Sequence, residues 1–416
     1  MGLAQVFGDV AGPDEDVRFT AYDGSATGRA DAPLTVEVRT PRAVAYLAQA
    51  PGSLGLARAY ITGDLEVHGD MYAALARLTG ARVTSLGWRT RLRTARRVGT
   101  VALRRVAPPP LETRLRGRRH SKARDAAAIA HHYDVSNRFY ELLLGPSMAY
   151  TCAVWPDPTA SLETAQWTKH ELVAGKLGLR PGMRLLDVGC GWGGMVMHAA
   201  REHGVRALGV TLSRRQADWA QQAIAAAGLS DLAEVRYGDY RDICEPAFDA
   251  VSSIGLTEHV GRAGLNAYFT RLHGLLLPGG RLLNHCITRP RPSDPPIVRR
   301  GFINRYVFPD GELAAVGPLV THMQEAGFEV RHLEDLREHY ALTCAAWLAN
   351  LEANWAEAIA EVGEARARVW RLYVAGSRLG FERDEIELHQ VLGVRLAGAD
   401  ARMPLRPDFE PAGVSR

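Results

Sequence analysis

Across residues 180–290, short β-rich apolar runs alternate with segments of helical periodicity. "MRLLDVGCGWGG", "RALGVTLS", "LAEVRYGD", "FDAVSSIG" and "GRLLNHCIT" predict strands. "ETAQWTKHELVAGKL" predicts a helix before the first, and "RRQADWAQQAIAAAG" predicts one after the second that stops at a glycine. Strand alternating with helix predicts a mostly parallel sheet covered on both faces. Long helices fill most of residues 340–380, and "IELHQVLGVRL" predicts a late strand. The Pro- and Arg-rich stretch "TRPRPSDPPIVRRGFINRYVFPDGEL" is an excursion from this order. Near the start, "DAPLTVEVRTPRAVAYL" alternates like a strand and then turns helical. "GLARAYITGDLEVHGDMYAALARL" follows as helix, turn, strand and helix. The expected layout is a small α+β domain over 1–85, a basic segment over 86–125 and an α/β domain over 126–400. No internal repeat is visible.

Length and composition fit two folded domains: 416 residues, 47% hydrophobic and 23% charged. No apolar run approaches the ~18 residues needed to span a bilayer. The N-terminus shows neither a basic, apolar signal pattern nor a myristoylation motif. Five cysteines are scattered without metal-ligand spacing, so a reducing, cytoplasmic setting and no metal site are expected. Charge changes the picture more. Arg82 to Arg124 holds fourteen Lys or Arg against one acid, Glu112, a local +13 in a chain of net +4. Such a block is a solvated tether, or it binds anionic lipid or nucleic acid.

"LLDVGCGWGG" places Gly189, Gly191 and Gly193 at the end of the first strand of the α/β domain. The spacing fits GxGxG, and with Gly194 it also fits GxGxxG. Asp187, directly before the loop, is unsuited to an anionic pyrophosphate but suits a cofactor carrying an ammonium and a sulfonium. About twenty residues on, "GVTLSRRQ" lacks the acid that a ribose diol would want. Arg214 and Arg215 keep an NADP reading open. Asp239, at the end of "EVRYGD", is placed to accept from an adenine amino group. Together these features favour S-adenosylmethionine.

"HYDVSNRFYELLLGPSMAYTCAVW" reads as an aromatic, lipid-binding lid over a site, rather than merely as a core helix with its turn. With "LLDVGCGWGG", "GVTLSRRQ", "TEHVG", "NRYVFPDGEL" and "IELHQV" it resembles, in order and over roughly 125–395, the cyclopropane fatty-acid synthase and mycolic-acid methyltransferase family. The resemblance implies a class I methyltransferase fold, Rossmann-like with a mostly parallel seven-stranded sheet. It implies methylation of a cis double bond in an acyl chain, with a bound bicarbonate ion as base. Glu258, His285 and Tyr340 match the positions that hold the ion, and Cys152 and Ile287 match backbone contacts to it. Tyr150 and Thr151 match lid contacts to the methionine end of the cofactor, which Gly189 and Gly191 also face. Thr211, Leu212 and Gln216 match its ribose and adenine wall, and Ile254 closes the pocket. One departure is Ser377, where the bacterial phospholipid enzymes usually carry cysteine.

The chemistry suits these residue types. An alkene attacking a sulfonium methyl becomes a carbocation, which needs water excluded and aromatic faces close by. The expected substrate is an unsaturated phospholipid acyl chain, reached from an anionic membrane surface by a peripheral enzyme at the inner face of the cell membrane. Trp, Leu and Val between the arginines of "GWRTRLRTARRVGTVALRRV" fit an interfacial segment. A cyclopropane product is expected. The alternative is a 10-methylene product, for which a reductase partner would complete a methyl branch. A nucleic-acid methyltransferase is disfavoured, because "SSIGLTEHV" is not a DPPY-like turn and no cysteine has a catalytic partner. The sequence leaves a homodimer open.

Overall fold

The structure, a computed structural model, describes residues 2–12, 14–79, 99, 105–113, 119–122, 124–125, 135–295 and 301–409. Tyr133 and most of the basic block lie outside the described residues. The chain forms two compact units. One comprises Met1–Arg114, Val298–Val307 and Trp355–Leu379, and the other Leu115–Ile297, Phe308–Asn354 and Gly380–Arg416. This departs from the contiguous layout expected from sequence, because two later segments group with the N-terminal residues. Ion pairs within that unit show why. Arg368 reaches Glu66 at 2.6 Å and the Tyr60 carbonyl at 3.1 Å.

The first unit runs α1 (Leu3–Ala11), β1 (Val17–Ala21), β2 (Ala26–Thr27), β3 (Leu34–Val38), α2 (Pro41–Gln49), α3 (Ser53–Ile61), β4 (Leu65–His68) and α4 (Met71–Leu78). Its sheet has the order β2-β1-β3-β4, parallel only between β1 and β3. In β3 every second residue, Leu34, Val36 and Val38, is buried, the signature of a half-covered sheet. Thr40 and Asp70 cap α2 and α4 by accepting from the amides of Arg42 and Ala73. Glu112, the lone acid of the basic block, is buried against Arg58, with contacts of 2.8 and 2.9 Å.

The second unit begins with α5 (Asn137–Leu144) and α6 (Leu162–Leu177). Then follow β5 (Arg184–Val188), α7 (Gly194–His203), β6 (Arg206–Thr211), α8 (Arg214–Ala226), β7 (Ala233–Tyr237) and β8 (Phe248–Ile254). The short α9 (Thr257–Val260), α10 (Leu265–Leu275) and β9 (Leu276–Thr288) complete the first part. After the excursion come α11 (Val316–Glu325), β10 (Glu329–Asp335), α12 (Arg337–Ala353) and β11 (Glu387–Val394). The sheet order is β10-β11-β9-β8-β5-β6-β7, with β11 antiparallel to both neighbours and every other pair parallel. Leu185, Leu186, Asp187 and Val188 of β5 are all buried, since helices cover both faces. Chain order reverses between β5 and β8. Open α/β sheets bind ligands at the carboxyl ends of the strands flanking such a reversal.

Candidate active site

A cavity of about 290 Å³ opens at this reversal. Its floor is the glycine loop, where Gly189 and Gly191 take φ of 75° and 55°. A side chain at Gly189 would be strained by that φ, and its Cβ would press on Leu256 at 3.1–3.4 Å. Of the residues the sequence assigned to the cofactor, Tyr150, Thr151, Asp187, Gly189, Gly191, Thr211, Leu212, Gln216 and Ile254 line this cavity. Gly193 does not; it caps α7 with φ 79°, and Gly194 faces the cavity instead. Asp239 is also absent from the lining. Its carboxylate is held by the backbone amide and guanidinium of Arg241, at 2.9 Å and 2.6–3.0 Å. This ion pair positions Arg241, which lines the cavity together with Gly238 and Tyr240.

Two opposite charges are buried in this cavity. Asp187 accepts from the Ser252 hydroxyl at 2.7 Å. Burial raises its pKa to about 6, against the lowering by Ser252 and the Lys169 ammonium. Lys169 on α6 is 1% exposed and donates to Thr151 Oγ1 at 3.2 Å and to His170 Nε2 at 2.9 Å. Burial lowers its pKa to about 8, with Asp187 opposing. An isolated buried ion is expensive. A carboxylate and an ammonium facing one cavity complement an α-amino-acid zwitterion, the tail of S-adenosylmethionine. The residues therefore fit that cofactor.

Of the residues the sequence assigned to the base, Glu258 lies on α9, His285 and Ile287 on β9 and Tyr340 on α12, and none of them, nor Cys152, lines that cavity. Glu258 on α9 accepts from the Ile287 amide at 2.8 Å, while its Oε2 is buried without a partner. Burial raises its pKa to about 7, against that amide bond. His285 is buried on β9, and its Nε2 also lacks a partner. The backbone N–H of Ile287 thus positions the Glu258 carboxylate. Cys152 is fully buried, its thiol donating to Ala153 O at 3.1 Å and Leu336 O at 3.7 Å. Burial keeps that thiol protonated. The segment after it docks on α12, which carries Tyr340, because the amides of Ala153 and Trp155 donate to Thr343 Oγ1 and His339 Nδ1 at 3.0 and 2.9 Å.

The opening aromatic stretch has two halves. In α5, Phe139, Tyr140, Leu143 and Leu144 are completely buried, so this helix is core rather than lid. After the turn, Met148 takes φ 46° and swings Ala149, Tyr150 and Thr151 into the cavity wall. Rings then follow one another: Trp192–Tyr140 at 4.5 Å, Tyr140–Tyr150 at 5.9 Å, Tyr150–Trp347 at 5.2 Å and Trp347–Tyr340 at 5.9 Å. Tyr340 stacks on Phe381 at 4.4 Å.

Sequence reasoning missed Lys169, His170, His120, Asp125 and Arg241, all of which line the cavity. A signal existed for one of them. Gln166 and Lys169, three apart in "AQWTKHELV", are both buried on α6, where polar side chains need a reason. Gln166 supports the wall by donating to the carbonyl of Thr151 at 2.9 Å. No spacing brings residues 120 and 125 to Arg241; only the fold does. The end of the basic block is also internally neutralised. Arg124 forms a two-pronged pair with Asp310 at 2.5 and 2.8 Å, and Lys122 meets Asp242 at 2.5 Å.

A mostly parallel seven-stranded sheet, a glycine loop at its reversal and a zwitterion-matched cavity define a class I S-adenosylmethionine-dependent methyltransferase. The profile of the mycolic acid cyclopropane synthetase family matches residues 120–391, and the chain belongs to that family. It is 53% identical to a probable fatty acid methyltransferase of Mycobacterium tuberculosis, with 95% of each chain covered. It is 34% identical to the cyclopropane-fatty-acyl-phospholipid synthase of Escherichia coli, over 65% of this chain and 69% of that one. Among solved structures, a mycolic acid cyclopropane synthase complexed with SAH and CTAB matches with a TM-score of 0.61 and 34% identity, over 65% of this chain and 98% of that chain.

Proposed function

We propose that this enzyme adds a methyl carbon to the cis double bond of an unsaturated acyl chain of a membrane phospholipid, forming a cyclopropane ring. One observation carries the proposal: Glu258 Oε2 and His285 Nε2 are buried polar atoms without partners, on α9 and β9 of a methyltransferase whose cavity wall is partly aromatic. Buried polar atoms are nearly always paired, so two such orphans fit a small polar guest. Bound S-adenosylmethionine supplies an electrophilic methyl. The alkene's π pair would form the new carbon–carbon bond as the methyl–sulfur pair stays with the departing thioether, leaving a cation on the neighbouring carbon. Tyr150, Tyr340 and Trp347 offer π faces, each worth roughly 0.5–2 kcal/mol to a nearby cation. Loss of a proton from the new methyl closes the ring, and the lipid gains one CH2.

A bicarbonate ion fits as the base, held by Glu258, His285, Tyr340 and the backbone of Cys152. Two adjacent anions would repel. Burial, which raises the Glu258 pKa to about 7, favours its sharing a proton with the guest. The second reading is a methylene product, formed when the cation shifts before the proton leaves and completed to a methyl branch by a reductase. The 53% identical relative, named for methyl transfer rather than ring closure, supports keeping it. Among the described residues no helix is long and apolar enough to cross a membrane. We therefore assign the approach to an anionic surface to arginines upstream of the paired Lys122 and Arg124, at about 1 kcal/mol per basic residue near the surface.

The test incubates the protein with S-adenosylmethionine, bicarbonate and oleoyl phosphatidylglycerol vesicles, then analyses the acyl chains by gas chromatography and mass spectrometry. One added CH2 resistant to hydrogenation supports the ring. The same gain with uptake of two hydrogens supports the methylene branch. No gain, with cofactor still bound, sinks the phospholipid reading.

A further inference from the structure

His285 does not stand alone in its strand. Gln390 lies directly opposite it, in register on β11, and both are completely or almost completely buried. Gln390 Nε2 is 3.1 Å from His285 Nδ1. On its other side, Gln390 Oε1 lies 2.7 Å from the Nζ of Lys176, a fully buried lysine at the end of α6. Lys176 also contacts Glu334 on β10, itself opposite Gln390 across the sheet.

The chemistry of each group fixes the direction of every bond. A lysine ammonium only donates, so it is the oxygen of the Gln390 amide that faces it. The amide is planar, and its NH2 is turned toward His285. An amide NH2 only donates, so Nδ1 accepts. Burial and the nearby ammonium groups of Lys169 and Lys176 hold the His285 pKa well below its usual value, leaving a neutral ring with one proton. That proton is left with Nε2, the atom without a protein partner.

We propose that Lys176 and Gln390 are positioning residues that set the tautomer of His285, presenting Nε2–H as a fixed donor to the guest in the base site. This inference rests on the proposed function only in placing His285 at that site; the relay stands on the hydrogen bonds. It gives His285 a definite role. With its one lone pair turned to Gln390, His285 holds an anion and does not itself take the substrate proton.

Nitrogen-15 spectra of histidine-labelled full-length protein without added ligands report the tautomer directly, with His285→Gln identifying the signal. In wild type the proton is expected on Nε2. Gln390→Glu places a carboxylate, which only accepts, against Nδ1, and is expected to move the proton there. Lys176→Met frees the amide to turn and gives a mixture of tautomers, while Lys176→Arg keeps the donor and restores the wild-type spectrum. Turnover in Lys176→Met is expected to fall roughly tenfold or more, the usual cost of removing a histidine's orienting partner, with the KM for S-adenosylmethionine unchanged. A wild-type signal showing Nδ1–H overturns the relay whether or not any variant folds, as does a tautomer indifferent to Gln390→Glu and Lys176→Met. A wild-type protein with Nε2–H but no methyl transfer would refute the proposed function and leave the relay standing.

Discussion

Replacing Asp187 with asparagine should stabilise the ligand-free enzyme while disabling it. The carboxylate is 3% exposed, and its pKa rises from 3.8 to about 6 on folding. A raised carboxylate pKa means that the native state binds the proton more tightly than the unfolded chain. Stability is then greatest below the unfolded value and is lost as pH rises toward 6. A shift of about two units corresponds to about 3 kcal/mol, fully developed above pH 6. Asparagine keeps an oxygen for the Ser252 hydroxyl and carries no charge. The variant loses part of this gain because Lys169 loses its attracting carboxylate and becomes easier to deprotonate. Denaturation of both proteins at pH 5 and pH 7.5 should show the variant ahead, with the gap about 1 kcal/mol wider at the higher pH. Calorimetry at pH 7.5 should show cofactor affinity reduced by ~10–100-fold, the cost of one hydrogen bond to a charged group. A variant no more stable than wild type at pH 7.5, or one binding cofactor normally, would refute the reasoning.

Glu258→Gln should retain at least about a tenth of kcat, because the amide can still accept from Ile287 and donate to the guest. Glu258→Ala should lose about a hundredfold, and turnover assays at saturating cofactor separate the two. Arg124→Ala, which breaks the pair with the mostly buried Asp310, should cost about 1–3 kcal/mol. That loss should be nearly insensitive to added salt in denaturation experiments, unlike an exposed pair. Gly209→Ala should destabilise the second unit by about 1–3 kcal/mol, since its Cβ would lie 2.8 Å from both Cys190 Sγ and Val196 Cγ2; a melting curve suffices to check it.

Much of the cavity lining was legible because it is local. Asp187, Gly189 and Gly191 lie within five residues, and a strand followed by a tight turn puts them at one cavity whatever surrounds them. Asp239 shows the limit of that logic. It follows a strand end, and its pairing with Arg241 two residues on is not written in the spacing. The aromatic stretch, expected as a lid, divides in two for a related reason. Periodicity cannot distinguish a helix that walls a site from one that fills a core, and here the helix does the second and the turn after it the first.

The sequence by itself determined the alternation of strand and helix, hence the covered parallel sheet, and it determined the glycine loop with its acid. These follow from side-chain periodicity and from which backbone angles glycine permits, properties that need no distant partner. Only the tertiary structure decided that residues 298–307 and 355–379 group with the N-terminal unit. Only it could place Lys176, Gln390 and His285 in one hydrogen-bonded row. Their positions are up to 214 residues apart, and their contact depends on the antiparallel register of β9, β10 and β11. A one-residue slip in that register would turn every side chain to the opposite face. The nature of the His285 donor is therefore a property of sheet pairing, invisible to any local reading of the chain.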